Sequence, residues 1–338
     1  MPGSPLSRFG YQTELSRRRL LAGASALGAA GVIGDAAWNP AWSKAPLLGT
    51  QVPSFYRFKH GTMECTVVSD GPLPIGPAAR TFRGMPEGEL VKAITDEYFL
   101  SAENVVLDQN ILVINTGDKL VVVDTGMLSV QRPNTQTGRL LISLKQAGID
   151  PADVDAIVLT HPHIDHSGGI MSADGKTRNF PNAQIYLTEV DYKYWTDEKR
   201  FGTPAEGSAR TAIKNLEPNK DRLVFYKDGQ EILPGITAMM TPGHTLAHCA
   251  LMISSGGKTM CNIGDVAHHP ILFQHPKLEV AFDTDPPQGV ASRVTLFETL
   301  TANKTPLLVF HMAWPGIGQL AKAGDGYRFV PTPMSLVP

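Results

Sequence analysis

Cysteine is scarce in this chain: Cys65, Cys249 and Cys261 are the only three in 338 residues, widely spaced and with no C-x-x-C pair. An odd count leaves at least one thiol free, which argues against a disulfide framework. Cys249 and Cys261 lie in apolar runs and read as small buried hydrophobes. A surplus of one charge is missing too. Thirty Lys and Arg stand against 32 Asp and Glu, and a formal net charge of −2 gives no electrostatic case for nucleic acid or an anionic membrane surface as a partner. After the N-terminal region no stretch is long and apolar enough for a transmembrane helix, so stable membrane association is not expected. Internal repeats, low-complexity tracts and a second-domain linker are absent as well. What remains, 42% hydrophobic and 18% charged residues, is a globular composition with ample length for a large core.

The N-terminal 45 residues read differently from the rest. Ser16-Arg17-Arg18-Arg19-Leu20-Leu21 precedes an Ala- and Gly-rich stretch from Ala22 to Gly34 that carries no charge until Asp35. A basic segment followed by a weakly apolar one of about fifteen residues is a signal-peptide pattern too short to cross a bilayer as an anchor. The paired arginines resemble a bacterial twin-arginine signal. The expectation is a signal peptide and linker over residues 1–45, cleaved near Ala36 or Ala45, and a single periplasmic domain over 46–338.

Within that domain, apolar runs bounded by turn residues predict strands at Met63–Ser69, 111–115, 120–124, 156–159, 184–187, 236–240, 249–254, 258–263 and 307–310. Helical spacing appears at 89–98, 139–147 and 189–195, and the polar stretch 197–222 reads as a helix-containing insertion. Strands outnumber helices and the helices fall between them, which suits an α/β arrangement of two sheets with helices packed outside.

Chemistry concentrates in Thr160-His161-Pro162-His163-Ile164-Asp165-His166-Ser167-Gly168-Gly169. A strand over 156–159 delivers alternate side chains to one side, so His161 and His163 can converge on one point. The chain then bends at Ser167-Gly168-Gly169, which lets Asp165 and His166 turn toward a second point. Imidazole with carboxylate suits zinc or a similar borderline divalent metal. Three further segments each place one donor at a strand end: His244 after 236–240, Asp265 after 258–263, and His311 after 307–310.

This order, H-x-H-x-D-H followed by His, Asp and His, resembles the metallo-β-lactamase superfamily of binuclear metallohydrolases. Val113-Ile114-Asn115-Thr116-Gly117, Phe180-Pro181-Asn182-Ala183, Leu233-Pro234-Gly235-Ile236, Pro315-Gly316-Ile317-Gly318 and Gly326-Tyr327-Arg328-Phe329-Val330-Pro331 are similar to its methyl parathion hydrolase group. The resemblance covers nearly all of the chain from Tyr56. It implies a four-layer αβ/βα sandwich with two mixed sheets and helices outside. It also implies two divalent ions, zinc foremost: one held by His161, His163 and His244, the other by Asp165, His166 and His311, with Asp265 bridging. A metal-bridging hydroxide is then the nucleophile, Asp165 passes a proton to the leaving group, and Asp124 orients a donor histidine. A homodimer is implied too.

The other histidines are read more plainly: His60 and His275 as surface, His248 as a supporting or core residue, and His268 and His269 as candidates for the pocket lining. Trp195 is expected to keep an aromatic wall, with Trp314, Phe273 or Phe282 as further wall residues. The segment after Gly126 (Met-Leu-Ser-Val-Gln-Arg) and the 206–214 stretch lack the aromatics of the resembled hydrolase. The expected function is exported hydrolysis of a small, neutral lactone or ester. Organophosphate triester hydrolysis and hydrolytic dehalogenation of a chlorinated aromatic remain alternatives. A non-catalytic periplasmic metal-binding module is the alternative of another class.

Overall fold

Alternation along the strand Asn110–Asn115 shows how the layers are built. Leu112 and Ile114 pack into one apolar cluster, while Ile111 and Val113 pack into another. A strand sends successive side chains to opposite faces, and all four are buried, so this sheet is covered on both sides. The computed structural model describes residues 53–128 and 136–335. The N-terminal segment read as a signal lies outside them, as do residues 129–135 of the loop after Gly126.

Among the described residues there are two seven-stranded sheets. The first runs, in spatial order, through Phe55–His60, Met63–Ser69, Asn110–Asn115, Leu120–Val123, Ala156–Val158, Gln184–Thr188 and Leu223–Tyr226. Its pairings are antiparallel up to Leu120–Val123 and parallel beyond it. The second runs through Glu231–Leu233, Ile236–Met240, Cys249–Ser255, Lys258–Asn262, Leu307–Leu308, Ile317–Ala323 and Gly326–Pro331. It has one parallel pairing, between Lys258–Asn262 and Leu307–Leu308.

One cluster joins the facing sides of the two sheets: Cys65, Val67, Ile114, Val121 and Val158 from the first meet Ala238, Cys249, Leu251 and Leu308 from the second. Behind the first sheet, the helices Leu140–Gln146, Glu189–Trp195 and Glu206–Leu216 contribute Leu140, Leu144, Trp195, Ala212 and Leu216. Behind the second, the helix Pro286–Ala302 contributes Leu296, Phe297 and Leu300. The order is therefore helices, sheet, sheet, helices, as the resemblance implied. At roughly 1.5–3 kcal/mol for each fully buried large aliphatic or Phe side chain, these three clusters dominate the favourable side of folding. All three cysteines are buried and unpaired.

Several sequence-based expectations are corrected. The last predicted strand, 307–310, stops at Leu308. Val309 N–H instead donates to Gly316 O at 2.9 Å, and the Asn110 amide takes Val309 O at 3.1 Å. His60 is not at the surface: it is buried between the sheets, with Nε2 2.9 Å from Ile253 O. The Asp70-Gly71 turn hides a buried carboxylate that accepts Met127 N–H (2.8 Å) and Leu140 N–H (2.7 Å). The 17-residue helix Pro286–Ala302 has no counterpart in the predicted elements. Its small and polar residues blur any apolar stripe, and Asp285 caps it by accepting Gln288 N–H at 3.1 Å.

Candidate metal centre

The strand Ala156–Val158 pairs in parallel with Leu120–Val123, so Asp124 and Thr160 emerge side by side. Asp124 accepts Thr160 N–H at 2.8 Å and Thr160 Oγ–H at 2.9 Å. Past Thr160 the chain carries His161 and His163, then turns through the short helix Ile164–Ser167. That turn swings Asp165 and His166 to a neighbouring point. Thr125 pins it, since its N–H and Oγ–H both donate to His166 O, at 2.6 and 2.9 Å.

The structure brings the seven sequence-predicted donors together in two adjoining groups: His161, His163 and His244, then Asp165, His166, Asp265 and His311. In the first, His163 Nδ1 lies 3.0 Å from His161 Nε2 and 2.9 Å from His244 Nε2. In the second, His311 Nε2 lies 3.2 Å from Asp165 Oδ2 and 3.3 Å from Asp265 Oδ2. Asp265 sits between the groups, with Oδ1 3.2 Å from His166 Nε2 and Oδ2 3.2 Å from His244 Nε2.

The outward nitrogens of four imidazoles have partners. His161 Nδ1 meets Thr160 Oγ1 at 3.0 Å, His166 Nδ1 meets Asp124 Oδ2 at 2.9 Å, His244 Nδ1 meets Asp283 Oδ1 at 2.7 Å and His311 Nδ1 meets Asp108 O at 2.8 Å. Such contacts fix ring orientation and leave Nε2 as the lone pair. His248 supports the site from outside, as expected. Its Nε2 accepts Asp265 N–H at 3.0 Å, and its Nδ1 contacts Thr241 Oγ1 at 2.8 Å.

The donor set fits a divalent cation. His166 Nε2 and Asp265 Oδ1 are buried 3.2 Å apart, a contact not aligned as a hydrogen bond, and among the described residues neither has another hydrogen-bond partner, a costly state for polar atoms unless something else satisfies them. Burial and the adjoining imidazoles hold His161 and His163 well below the usual range, so both present neutral nitrogens. Burial alone would also lower His244 and His311. Asp265 and Asp283 outweigh it at His244, carrying it up to about 9, and Asp265 and Asp165 carry His311 up to about 10. The buried carboxylates therefore demand positive charge at this point, a demand that a bound cation meets.

A cavity of about 460 Å³ opens beside the donors. Leu73, Ile75, Leu107, Ile164, Ala281 and Phe282 form most of its apolar wall, and Trp195 lines it with its ring edge-on to His163, centroids 4.6 Å apart. Among the described residues, no lysine or arginine lines it. Three wall expectations are corrected. Trp314 is not a lining residue; its backbone N–H is tied to Asp108 Oδ2 at 3.2 Å. His269 turns into the protein against Phe82 and Tyr98, with Nδ1 accepting Ile271 N–H at 3.2 Å. Phe273 belongs to the core, stacked on Phe297.

His268 does line the cavity. Its Nε2 is 3.2 Å from Asp265 Oδ2, and its buried Nδ1 has no hydrogen-bond partner among the described residues. It also forms a third potential metal-holding group with His244 and Asp265. Asp108 and Asp283 escaped the sequence reading, because neither stands at a donor-like spacing. Asp124 did not. It takes a left-handed φ of 63° in its turn and still holds His166, so it serves the turn and the donor together.

Comparison with known proteins places these features in context. The model of the metallo-beta-lactamase superfamily matches residues 104–310, more than half of the chain. An N-acyl homoserine lactonase of a Bacillus species is 28% identical over 153 residues, 45% of this chain and 54% of that protein. A probable metallo-hydrolase of Mycobacterium tuberculosis is 26% identical over 196 residues, 50% of this chain and 60% of that protein. The chain thus spans between half and two thirds of the length of these curated relatives. Among solved structures, the hydrolase AbOPH of the beta lactamase superfamily superposes with a TM-score of 0.78 at 27% identity, covering 85% of this chain and all of that one. AidC, a dizinc quorum-quenching lactonase in complex with a product, an acylated homoserine, gives a TM-score of 0.77 at 27% identity, covering 83% and 98%.

Proposed function

The chain belongs to the metallo-beta-lactamase superfamily, and from that premise we propose that it is a metal-dependent hydrolase of a small neutral lactone or related carboxylic ester. The observation that carries this reading is the cavity itself: two convergent donor groups open onto a mainly apolar wall that, among the described residues, holds no cationic side chain to anchor a carboxylate or a phosphate. His161, His163 and His244 would hold one ion and Asp165, His166 and His311 the other, with Asp265 between them; when bound, such ions, zinc by the donor chemistry, supply Lewis acidity toward an acyl oxygen and bring the pKa of water toward neutrality.

The chain's own groups do the rest. Asp165 lines the cavity beside His311, where its carboxylate takes the proton from the attacking water and hands it to the departing ring oxygen. Trp195 and Phe282 take up the acyl chain. The paired arginines of the N-terminal segment support export to the periplasm, and the family resemblance supports a homodimer.

The test is kcat/KM of the zinc-loaded mature chain on a six-carbon acyl-homoserine lactone, dihydrocoumarin, methyl parathion and a polychlorinated benzonitrile. A leading lactone, with turnover abolished in Asp265→Ala, is the expected result. Leading chloride release or phosphotriester cleavage overturns the substrate class. Two bound zinc ions with no turnover on any arm replace the enzyme reading with that of a metal-binding module.

A further inference from the structure

Two histidines of the centre are backed by a carboxylate, one in each donor group: His166 by Asp124, and His244 by Asp283. Asp124 belongs to the same sheet edge as its histidine. Asp283 comes from elsewhere, the segment leading into the helix Pro286–Ala302, and it is joined to the His244 turn by more than its side chain. Thr284 N–H donates to His244 O at 3.0 Å, and Asp285 N–H to Gly243 O at 2.8 Å. The approach is close enough to exclude side chains. A Cβ on Gly243 would meet Gly289 N at 2.1 Å, and one on Gly289 would meet Asp283 Oδ2 at 2.7 Å.

From the other side the buried Arg293 ties the same region to the Asp265 turn. Its guanidinium donates to Val266 O at 2.7 Å and to Leu278 O at 2.6 Å. Asp283 and its neighbours Phe282 and Thr284 also line the cavity.

We propose that Asp283 is the positioning residue of the His161–His163–His244 group: it keeps the proton of His244 on Nδ1, aims Nε2 at the cation and sets the affinity of that group separately from the other. This rests on the metal-dependent reading above. A carboxylate behind a metal-binding imidazole raises its basicity, and loss of such a partner weakens affinity about 10–100-fold.

The experiment is zinc affinity by chelator competition for the full mature chain, wild type against Asp283→Asn and Asp283→Ala, with circular dichroism and thermal melts of the metal-free proteins as the folding control. Wild type is expected to take up two equivalents; a wild type that takes up none overturns the metal-dependent reading itself. Asp283→Ala is expected to bind one equivalent about 10–100-fold more weakly while the other keeps its affinity. Asp283→Asn, which retains an acceptor but not the charge, should fall between. Two equivalents at wild-type affinity in the variants overturn the role of Asp283 and leave the metal-dependent reading standing. A merely structural residue would lower the metal-free melting temperature and leave both affinities unchanged. If the alanine variant does not fold, the asparagine variant decides.

Discussion

Gly169 closes the donor-rich stretch, and replacing it with alanine tests whether that bend is set by steric need. A Cβ there would lie 1.9 Å from Thr125 O and 3.2 Å from Thr125 Cβ. The obstacle is backbone, so Thr125 or the bend itself must move by more than an ångström. Thr125 is not free to move, because its N–H and hydroxyl both hold His166 O. Overpacking a tight site costs about 1–3 kcal/mol, and weakening those two hydrogen bonds adds up to about 1 kcal/mol each. A loss of about 3 kcal/mol is therefore expected in urea melts of the metal-free protein, a drop of roughly 6–12 °C in Tm. Because the displaced Thr125 carries His166 with it, zinc affinity should fall too. The control is Gly207→Ala. Gly207 is exposed in the helix Glu206–Leu216 and has nothing within 4 Å of its would-be Cβ, so alanine should stabilise by about 0.5–1 kcal/mol. A Gly169→Ala protein within 0.5 kcal/mol of wild type, with unchanged zinc affinity, would refute the reasoning.

Two other outcomes follow from buried carboxylates. Asp124→Asn leaves the backbone unstrained, since Asn tolerates a positive φ, but places an amide N–H₂ where His166 Nδ1–H needs an acceptor; zinc in the Asp165–His166–His311 group should weaken about 10–100-fold, read by chelator competition. Burial raises Asp70 from its ordinary 3.8 to about 7, against backbone N–H groups of Met127, Leu140 and Gly138 that pull it down. A folded-state pKa above the unfolded one means that the folded protein holds a proton the unfolded chain releases. Stability on this account is therefore full below pH 4 and is lost as the pH rises to 7, by about 4 kcal/mol at 1.36 kcal/mol per unit. The difference in unfolding free energy between wild type and Asp70→Asn should change by that amount across the window, and a difference that does not vary with pH would sink the assignment.

The positions of these donors were legible because each lies within four residues of the end of an apolar run: His161 after Leu159, His244 after Met240, Asp265 after Ile263, His311 after Phe310. A buried strand must end where the layer ends, so a polar residue within a few positions of it falls at the sheet edge whatever the rest of the chain does. The same local logic gave the two sheets, whose alternation survives in Leu112 and Ile114 facing one way and Ile111 and Val113 the other. It failed for Val309 and Phe310. Their apolar side chains fit a strand, but a hydrogen bond from Val309 N–H to Gly316 O ends the ladder, and nothing in the local pattern announces that.

The wall and the outer carboxylates belong to a different kind of information. His268 and His269 are adjacent and chemically identical, yet one lines the cavity and the other packs on Phe82 and Tyr98. Only the tertiary position of the turn after Asp265, set in part by Arg293 reaching Val266 O across 27 residues, decides between them. Asp283 sits in the run Phe282-Asp283-Thr284-Asp285, where alternate acids give no spacing signal. Asp285 became a helix cap and Asp283 the partner of His244. Gly243 and Gly289 are the residues that make the second role possible, because each removes a side chain from the same contact. Two glycines 46 positions apart therefore specify a contact that neither specifies alone, and in a single sequence each reads as an ordinary turn or helix residue.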